Sequence, residues 1–175
     1  MASETIRYDF AETSIAALVI ALSADGVVAI LMREHMDRDA LLGDLAHRFP
    51  TAELVRDPDT VDGARQAVIG FVEHPQANLD LKLDIRGTGF QKRVWNAVLE
   101  VPFGGTTTFS KIAETAGSPR AVRAVGSACT RNPLEFAIPC HRVLRADGAW
   151  SGGSGWGDRR QSTLVGRERA AVGKA

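Results

Sequence analysis

Hydrophobic positions along this chain change their rhythm near residue 86. Residues 15–31 hold two short aliphatic runs, IAALVIALS and VVAILM, separated by Ala24-Asp25-Gly26. Such runs on either side of an Asp-Gly turn predict a β-hairpin. Leu41, Leu42, Leu45 and Phe49 then recur at helical spacing within residues 37–49, as do Val61, Ala64, Val68 and Val72 within residues 61–73. Two helices are expected there. Leu79, Leu81, Leu83 and Ile85 alternate with polar neighbours, the pattern of a half-buried strand. Residues 1–86 therefore read as a small N-terminal α+β domain.

Gly87-Thr88-Gly89 interrupts the pattern, and Phe90, Val94, Trp95, Val98 and Leu99 then share one helical face, ending before Pro102. Residues 102–107, with Gly104-Gly105, predict a turn. Thr108 is placed to cap a short helix over 109–116 that stops at Gly117. Ser118 as N-cap with Pro119 at the first helical position predicts a second helix reaching Thr130. Two short helices around a Gly-containing turn make a helix-turn-helix. The second helix carries Ala121, Ala124, Gly126, Ser127 and Ala128, with Arg120 and Arg123 three apart. Pattern alone leaves two readings: a surface that another backbone approaches closely while the arginines meet phosphates, or an Ala-rich core helix with two solvated arginines.

Composition narrows the class. A chain of 175 residues with 45% hydrophobic content can form one substantial domain or two small ones. Residues 15–22, its longest apolar stretch, reach about half of a membrane span, and the start Met-Ala-Ser-Glu lacks the plan of a signal peptide. A cytoplasmic protein with no membrane partner is expected. The net charge of zero hides a split: residues 1–84 carry 7 Lys+Arg against 15 Asp+Glu, and residues 85–175 carry 14 against 6. A basic half suits a polyanionic partner, although a plain dipole of solvated surfaces has the same signature. Cys129 and Cys140, the two cysteines, cannot build a four-thiolate zinc site and in a reducing cytosol do not imply a disulfide. No metal and no cofactor are implied.

The chemistry lies in Ile138-Pro139-Cys140-His141-Arg142-Val143. A thiol at its reference pKa is only about 3% thiolate at neutral pH, so a nucleophilic cysteine needs a base or a cation nearby. His141 and Arg142 offer one of each. An isolated Cys-His pair is nevertheless compatible with a small buried hydrophobe beside a chance histidine.

Taken in order, the stretch FQKRVWNAVLEVPFGGTTTFSKIAETAGSPRAVRAVGSACTRNPLEFAIPCHRVLRADG resembles the 6-O-methylguanine-DNA methyltransferase family, the methylated-DNA-protein-cysteine methyltransferases, and is most like the Ada C-terminal domain and its Ogt relatives. The likeness spans residues 8–168 and is densest over 84–148. It implies a small ribonuclease-H-like N-terminal domain over 1–86, a C-terminal helix-turn-helix alkyl-acceptor domain over 87–170 and a tail at 171–175. The implied activity is suicide repair: an alkyl group passes irreversibly from guanine O6 in double-stranded DNA to Cys140, once per molecule. His141 would take the thiol proton through a water, and Glu168, in Leu164-Val165-Gly166-Arg167-Glu168, would hold the histidine's charge. The resemblance further implies that the helix from Pro119 enters the minor groove of DNA containing 6-O-alkylguanine. Arg123 would replace the flipped base, and Ala121, Ala124 and Gly126 would be small for close approach, while Arg120 is a candidate DNA contact from its spacing to Arg123 alone. Asn132 matches a hinge asparagine, and Val143 a position whose carbonyl reads the guanine amino group. A monomer is expected.

Two positions depart from the family pattern. Phe109 stands for a tyrosine that crowds the target phosphate and donates a proton to the leaving base, and Gly153 stands for the tyrosine of the substrate loop. Trp150, or Trp156 after a register shift, would then wall the guanine, and Ser154 would donate to its oxygen. In full Ada proteins a zinc-bearing regulatory domain precedes this one. Too few cysteines are present for it, so no phosphotriester self-methylation and no autonomous activator function are expected. Two other readings are a damage-binding protein without transfer, disfavoured because the cysteine is kept, and a Cys-His-Glu thiol hydrolase, disfavoured because no oxyanion hole is evident.

Overall fold

The computed structural model describes residues 2–150 and 157–173. They fall into two compact units: Met1–His74 with Leu79–Ile85 and Pro133–Ala137, and Pro75–Asn78 with Arg86–Asn132 and Ile138–Ala175.

The first unit is built on a sheet of β1 (Thr5–Glu12), β2 (Ala17–Ser23), β3 (Gly26–Arg33) and β4 (Glu53–Arg56), in the order β3-β2-β1-β4. The expected hairpin is β2 and β3, antiparallel, with β1 antiparallel to β2 and β4 parallel to β1. Helices α1 (Arg38–Arg48) and α2 (Pro58–Glu73) start where aspartates cap them: Asp37 accepts from the Ala40 N–H, and Asp57 from the Thr60 N–H with Pro58 in the first turn. Leu41 and Leu45 of α1 pack into a core with Ile6, Tyr8, Phe10, Val19 and Leu31. α2 buries Val61, Ala64, Val68, Phe71 and Val72 and packs on β1 and β2. A sheet covered on both faces needs apolar residues at successive positions, which is why β2 reads as an unbroken aliphatic run.

The strand expected over residues 79–85 shrinks to one bridge. Val27 donates to the Lys82 carbonyl at 2.8 Å and accepts from the Asp84 N–H at 2.8 Å. The β3 edge is shared, because Ile30 donates to the Pro133 carbonyl at 2.8 Å and accepts from the Glu135 N–H at 3.1 Å. Alternation fitted a strand, but the edge had a second claimant. Within that segment Phe136 adopts φ 68°, costly for a residue with a Cβ, and its ring lies 6.5 Å from that of Phe71.

The second unit contains α3 (Gly89–Leu99), β5 (Thr107–Thr108), α4 (Phe109–Thr115), α5 (Val122–Thr130), a 3-10 turn at Cys140–Arg142, β6 (Val143–Leu144) and α6 (Gly157–Gly173). Thr88 and Gln91 close a capping box at the start of α3, and Thr108 caps α4 through the Lys111 N–H. α5 begins later than expected. Ser118 to Ala121 form a turn closed by the Ala121 N–H on the Ser118 carbonyl at 2.9 Å, and Ala121 is the N-cap without a side-chain bond. Pro119 thus serves the turn before the helix, a place its fixed φ suits equally well. The Trp95 indole donates to the Ala128 carbonyl at 3.0 Å and ties α3 to α5. β5 and β6 pair in parallel, Thr107 with Val143 and Thr108 with Leu144, so the segment that opens α4 is held to the one that leaves the Cys140 turn. Among the described residues no helix is long and apolar enough to cross a membrane.

Candidate active site

Cys140 opens the 3-10 turn and is 6% exposed, so its thiol sits at the edge of the protein interior. The Ile138 carbonyl accepts both the Cys140 N–H at 2.7 Å and the Asn132 side-chain amide at 2.9 Å. Asn132 is buried just beyond α5, and through that shared acceptor it ties the end of α5 to the cysteine turn.

His141 and Glu168 have no exposed surface. His141 Nε2 lies 2.6 Å from Glu168 Oε1. Arg142 donates through Nε to Glu168 Oε2 at 2.9 Å and through Nη2 to Oε1 at 3.0 Å, and through Nη1 to the Val101 carbonyl at 3.0 Å. The Gly104 N–H completes the set on Oε2 at 3.4 Å. Gly104 sits at φ 78°, and a Cβ there would lie 2.6 Å from the Val172 side chain, so this donor position requires glycine.

The electrostatics follow from burial. Burial pushes the Glu168 carboxyl up, but the hydrogen bonds and charges of His141 and Arg142 outweigh it and hold the group below the usual carboxylate range. Burial also dominates at His141 and lowers its pKa, with Arg142 adding to the decrease and Glu168 opposing it. The cluster is therefore an ionised carboxylate, a guanidinium and a neutral imidazole. An ionised carboxylate only accepts, so Nε2 carries the ring proton and Nδ1 holds the basic lone pair. Such a ring can take a proton from a thiol, and Glu168 would stabilise the imidazolium that forms.

Gln161 was not singled out in the sequence. It is fully buried, and its side-chain amide donates to the carbonyls of His141 at 2.9 Å and Val143 at 3.0 Å. Gln161, Leu164, Val165 and Glu168 are the buried stripe at i, i+3, i+4 and i+7 of α6. Half of that stripe is polar, which hid the helix from a hydrophobic reading. Arg142, which adjacency in sequence offers as a cation for the thiol, is directed instead to Glu168 and the Val101 carbonyl.

On α5, Val125, Ala128 and Cys129 face inward, while Val122, Arg123, Ala124, Ser127 and Thr130 are exposed and Ala121 and Gly126 are half-buried. A Cβ built on Gly126 meets nothing within 4 Å, so packing does not demand glycine there. Of the small residues, Ala128 serves the core. Ala124, exposed beside Arg123, does not, which weighs against the core-helix reading. Arg120 is exposed in the preceding turn, and Phe109, at the start of α4, is half-buried, as is Trp150. Gly153, Ser154 and Trp156 lie outside the described residues. Among the described residues no group of His, Cys, Asp or Glu could hold a metal ion.

A family model for the 6-O-methylguanine DNA methyltransferase DNA binding domain matches residues 89–170. The bifunctional transcriptional activator/DNA repair enzyme Ada of Escherichia coli is 39% identical over 163 residues, which are 93% of this chain and 45% of that protein, so the chain spans less than half of its length. A methylated-DNA–protein-cysteine methyltransferase of Mycolicibacterium paratuberculosis is 41% identical over 133 residues, covering 73% of this chain and 81% of the relative. The crystal structure of Mycobacterium tuberculosis OGT in complex with DNA matches with a TM-score of 0.77 and 31% identity, over 95% of this chain and 94% of that one. A buried cysteine followed by a histidine bonded to a buried glutamate, a helix that exposes Arg123 beside small residues and these likenesses over most of its length agree: the chain belongs to the methylated-DNA–protein-cysteine methyltransferase family.

Proposed function

We propose that this protein repairs DNA by moving the alkyl group of 6-O-methylguanine irreversibly to the sulfur of Cys140. The observation that carries the reading is the His141 ring, buried beside Cys140 and held through Nε2 by an ionised Glu168, which leaves Nδ1 as a base. The thiol gives its proton to His141, by way of a water. The sulfur then attacks the methyl carbon as the carbon–oxygen bond breaks, and the electron pair stays on the guanine. The proton lost by the thiol is matched by one gained by the departing base, which leaves neutral. A thioether does not revert, so each molecule acts once and needs no cofactor.

The target atom lies inside a duplex, so the nucleotide must be extruded at a cost of a few kcal/mol. α5 enters the minor groove, Arg123 fills the vacated position, Arg120 meets the phosphates, and Ala121, Ala124 and Gly126 allow close approach. That groove carries little sequence code, which suits lesions found in any sequence. Asn132 keeps the base-flipping helix in register with Cys140. The Val143 carbonyl, which has two lone pairs, accepts from Gln161 and has capacity for the guanine amino group. Phe109 supplies bulk at the target phosphate but no proton. Residues 87–170 do this work as a monomer in the cytoplasm, with residues 1–86 as a ribonuclease-H-like support.

Incubation with a duplex containing 6-O-methylguanine should add one methylene to the peptide holding Cys140, as read by mass, and Cys140→Ala should gain nothing. Tight binding to the lesion without any mass gain would overturn the reading in favour of damage binding alone.

A further inference from the structure

α6 grips one residue of the cysteine turn at both ends. Glu168 holds the His141 ring through Nε2 at 2.6 Å, and Gln161, seven positions earlier on the same buried face, holds the His141 carbonyl at 2.9 Å and the Val143 carbonyl at 3.0 Å. Seven residues are almost two helical turns, so both groups point into the turn from one rigid element. A three-residue 3-10 turn makes few bonds of its own and is fixed mainly by what surrounds it. Rotation of the His141 peptide would move the ring away from Glu168. Gln161 blocks that rotation with a single amide bridging the carbonyls on either side of Arg142.

We infer that Gln161 is a positioning residue for alkyl transfer: its side-chain amide locks the Cys140–Arg142 turn so that His141, next to Cys140 in the chain, stays seated on Glu168 as the base for the thiol. The inference deepens the repair reading and rests on it for its second assay.

The first assay needs no DNA. Alkylation of Cys140 by iodoacetamide, assigned by peptide mass, is measured on the full chain for wild type, Gln161→Met and Gln161→Lys. Near pH 7 the thiol depends on His141 as base, whereas near pH 10, above the ordinary thiol pKa of about 8.5, hydroxide replaces it. Gln161→Met should therefore be slowed about tenfold near pH 7 and less than about twofold near pH 10. Gln161→Lys, which restores donors, should stay within about threefold of wild type at both. A Met variant as fast as wild type near pH 7, or slowed equally at both pH values, overturns the inference. If the Met variant does not fold, the Lys variant decides: retention of rate supports the inference, and a folded Lys variant slowed about tenfold near pH 7 overturns it.

The second assay is single-turnover methyl transfer from a 6-O-methylguanine duplex, where the same ranking of variants is expected at pH 7 and an unchanged rate in Gln161→Met overturns the inference. Should wild type gain no methyl while the iodoacetamide ranking holds, the repair reading fails and the positioning role stands.

Discussion

Each unit of this protein contains a buried carboxylate shared by two basic side chains, and the two differ in how the partners meet water. Asp9, on β1, accepts from Arg56 at 3.0 Å and Arg65 at 3.4 Å, while those arginine side chains remain 45% and 28% exposed. Glu168, on α6, accepts from Arg142 and faces His141, and no member of that set is more than 1% exposed. Arginines at the Asp9 site keep much of their hydration, so the cluster fastens α2 and β4 onto β1 at modest electrostatic cost. At Glu168 all three side chains are withdrawn from bulk solvent, and the charge on one group sets the state of the next. Carboxylates with similar partners thus differ in solvent access: Asp9 is bonded by arginines that face water, and Glu168, the residue proposed to support His141 as base, by partners that do not.

The most severe test of this contrast is Glu168→Gln. It removes the charge that balances Arg142 and a forming imidazolium and turns one acceptor oxygen into an NH2 donor beside the Arg142 guanidinium, and should slow methyl transfer about 100-fold or more. The same change should lower stability to urea by about 3–5 kcal/mol. A transfer rate within threefold of wild type would put Glu168 in the same class as Asp9.

Acid titration gives the next largest effect. The folded pKa of His141 lies below 6.5, its value when unfolded, so as pH falls through this window the unfolded chain binds the proton first and stability declines. Glu168, held below 4.5 in the fold, adds a second loss as pH falls below that value. Urea midpoints followed from pH 8 downward should show the first decline near 6.5, and His141→Gln should remove that part of the curve. A flat profile down to pH 5 in wild type would contradict the neutral buried imidazole.

Phe109→Tyr asks whether the buried cluster supplies only the thiol end of the reaction. A phenolic donor near the departing base should raise the single-turnover rate about fivefold without changing iodoacetamide reactivity. If both rates rise together, the substitution acts on the thiol, and the assignment of Phe109 to the leaving base is wrong. The smallest effect is expected at the other carboxylate: Asp9→Asn should cost about 1 kcal/mol of stability and leave the transfer rate within twofold. Loss of activity in a folded Asp9→Asn would erase the distinction between the two sites.

The elements legible in the sequence were those with a regular apolar face and a cap. α1, α2 and α3 lie where periodicity puts them and α4 where Thr108 and Gly117 bound it, because local signals and burial agree there. β1 went unread. Tyr8, Asp9, Phe10 and Ala11 are all buried in succession, and a strand that hides an aspartate shows neither alternation nor an apolar run. α6 escaped for a related reason, since its inward stripe is half polar. At the site, Cys140 and His141 announced themselves by adjacency, whereas Glu168 was reached by family resemblance and Gln161 not at all. Nothing local distinguishes a glutamine that will bond two carbonyls 18 and 20 residues earlier from one that faces water.

The excursion of Pro133–Ala137 to the β3 edge has a consequence for how this chain can be divided. Chain order and spatial order disagree: five residues lying between Asn132 and Cys140 complete the sheet of the other unit. No single cut therefore releases the Cys140-bearing unit intact. A fragment starting at residue 87 would carry that segment with Glu135 and Pro133 deprived of Ile30, and with the Phe136 ring deprived of that of Phe71. Exchange of one unit between relatives should then give a folded protein only when Pro133–Ala137 and the β3 edge come from the same parent.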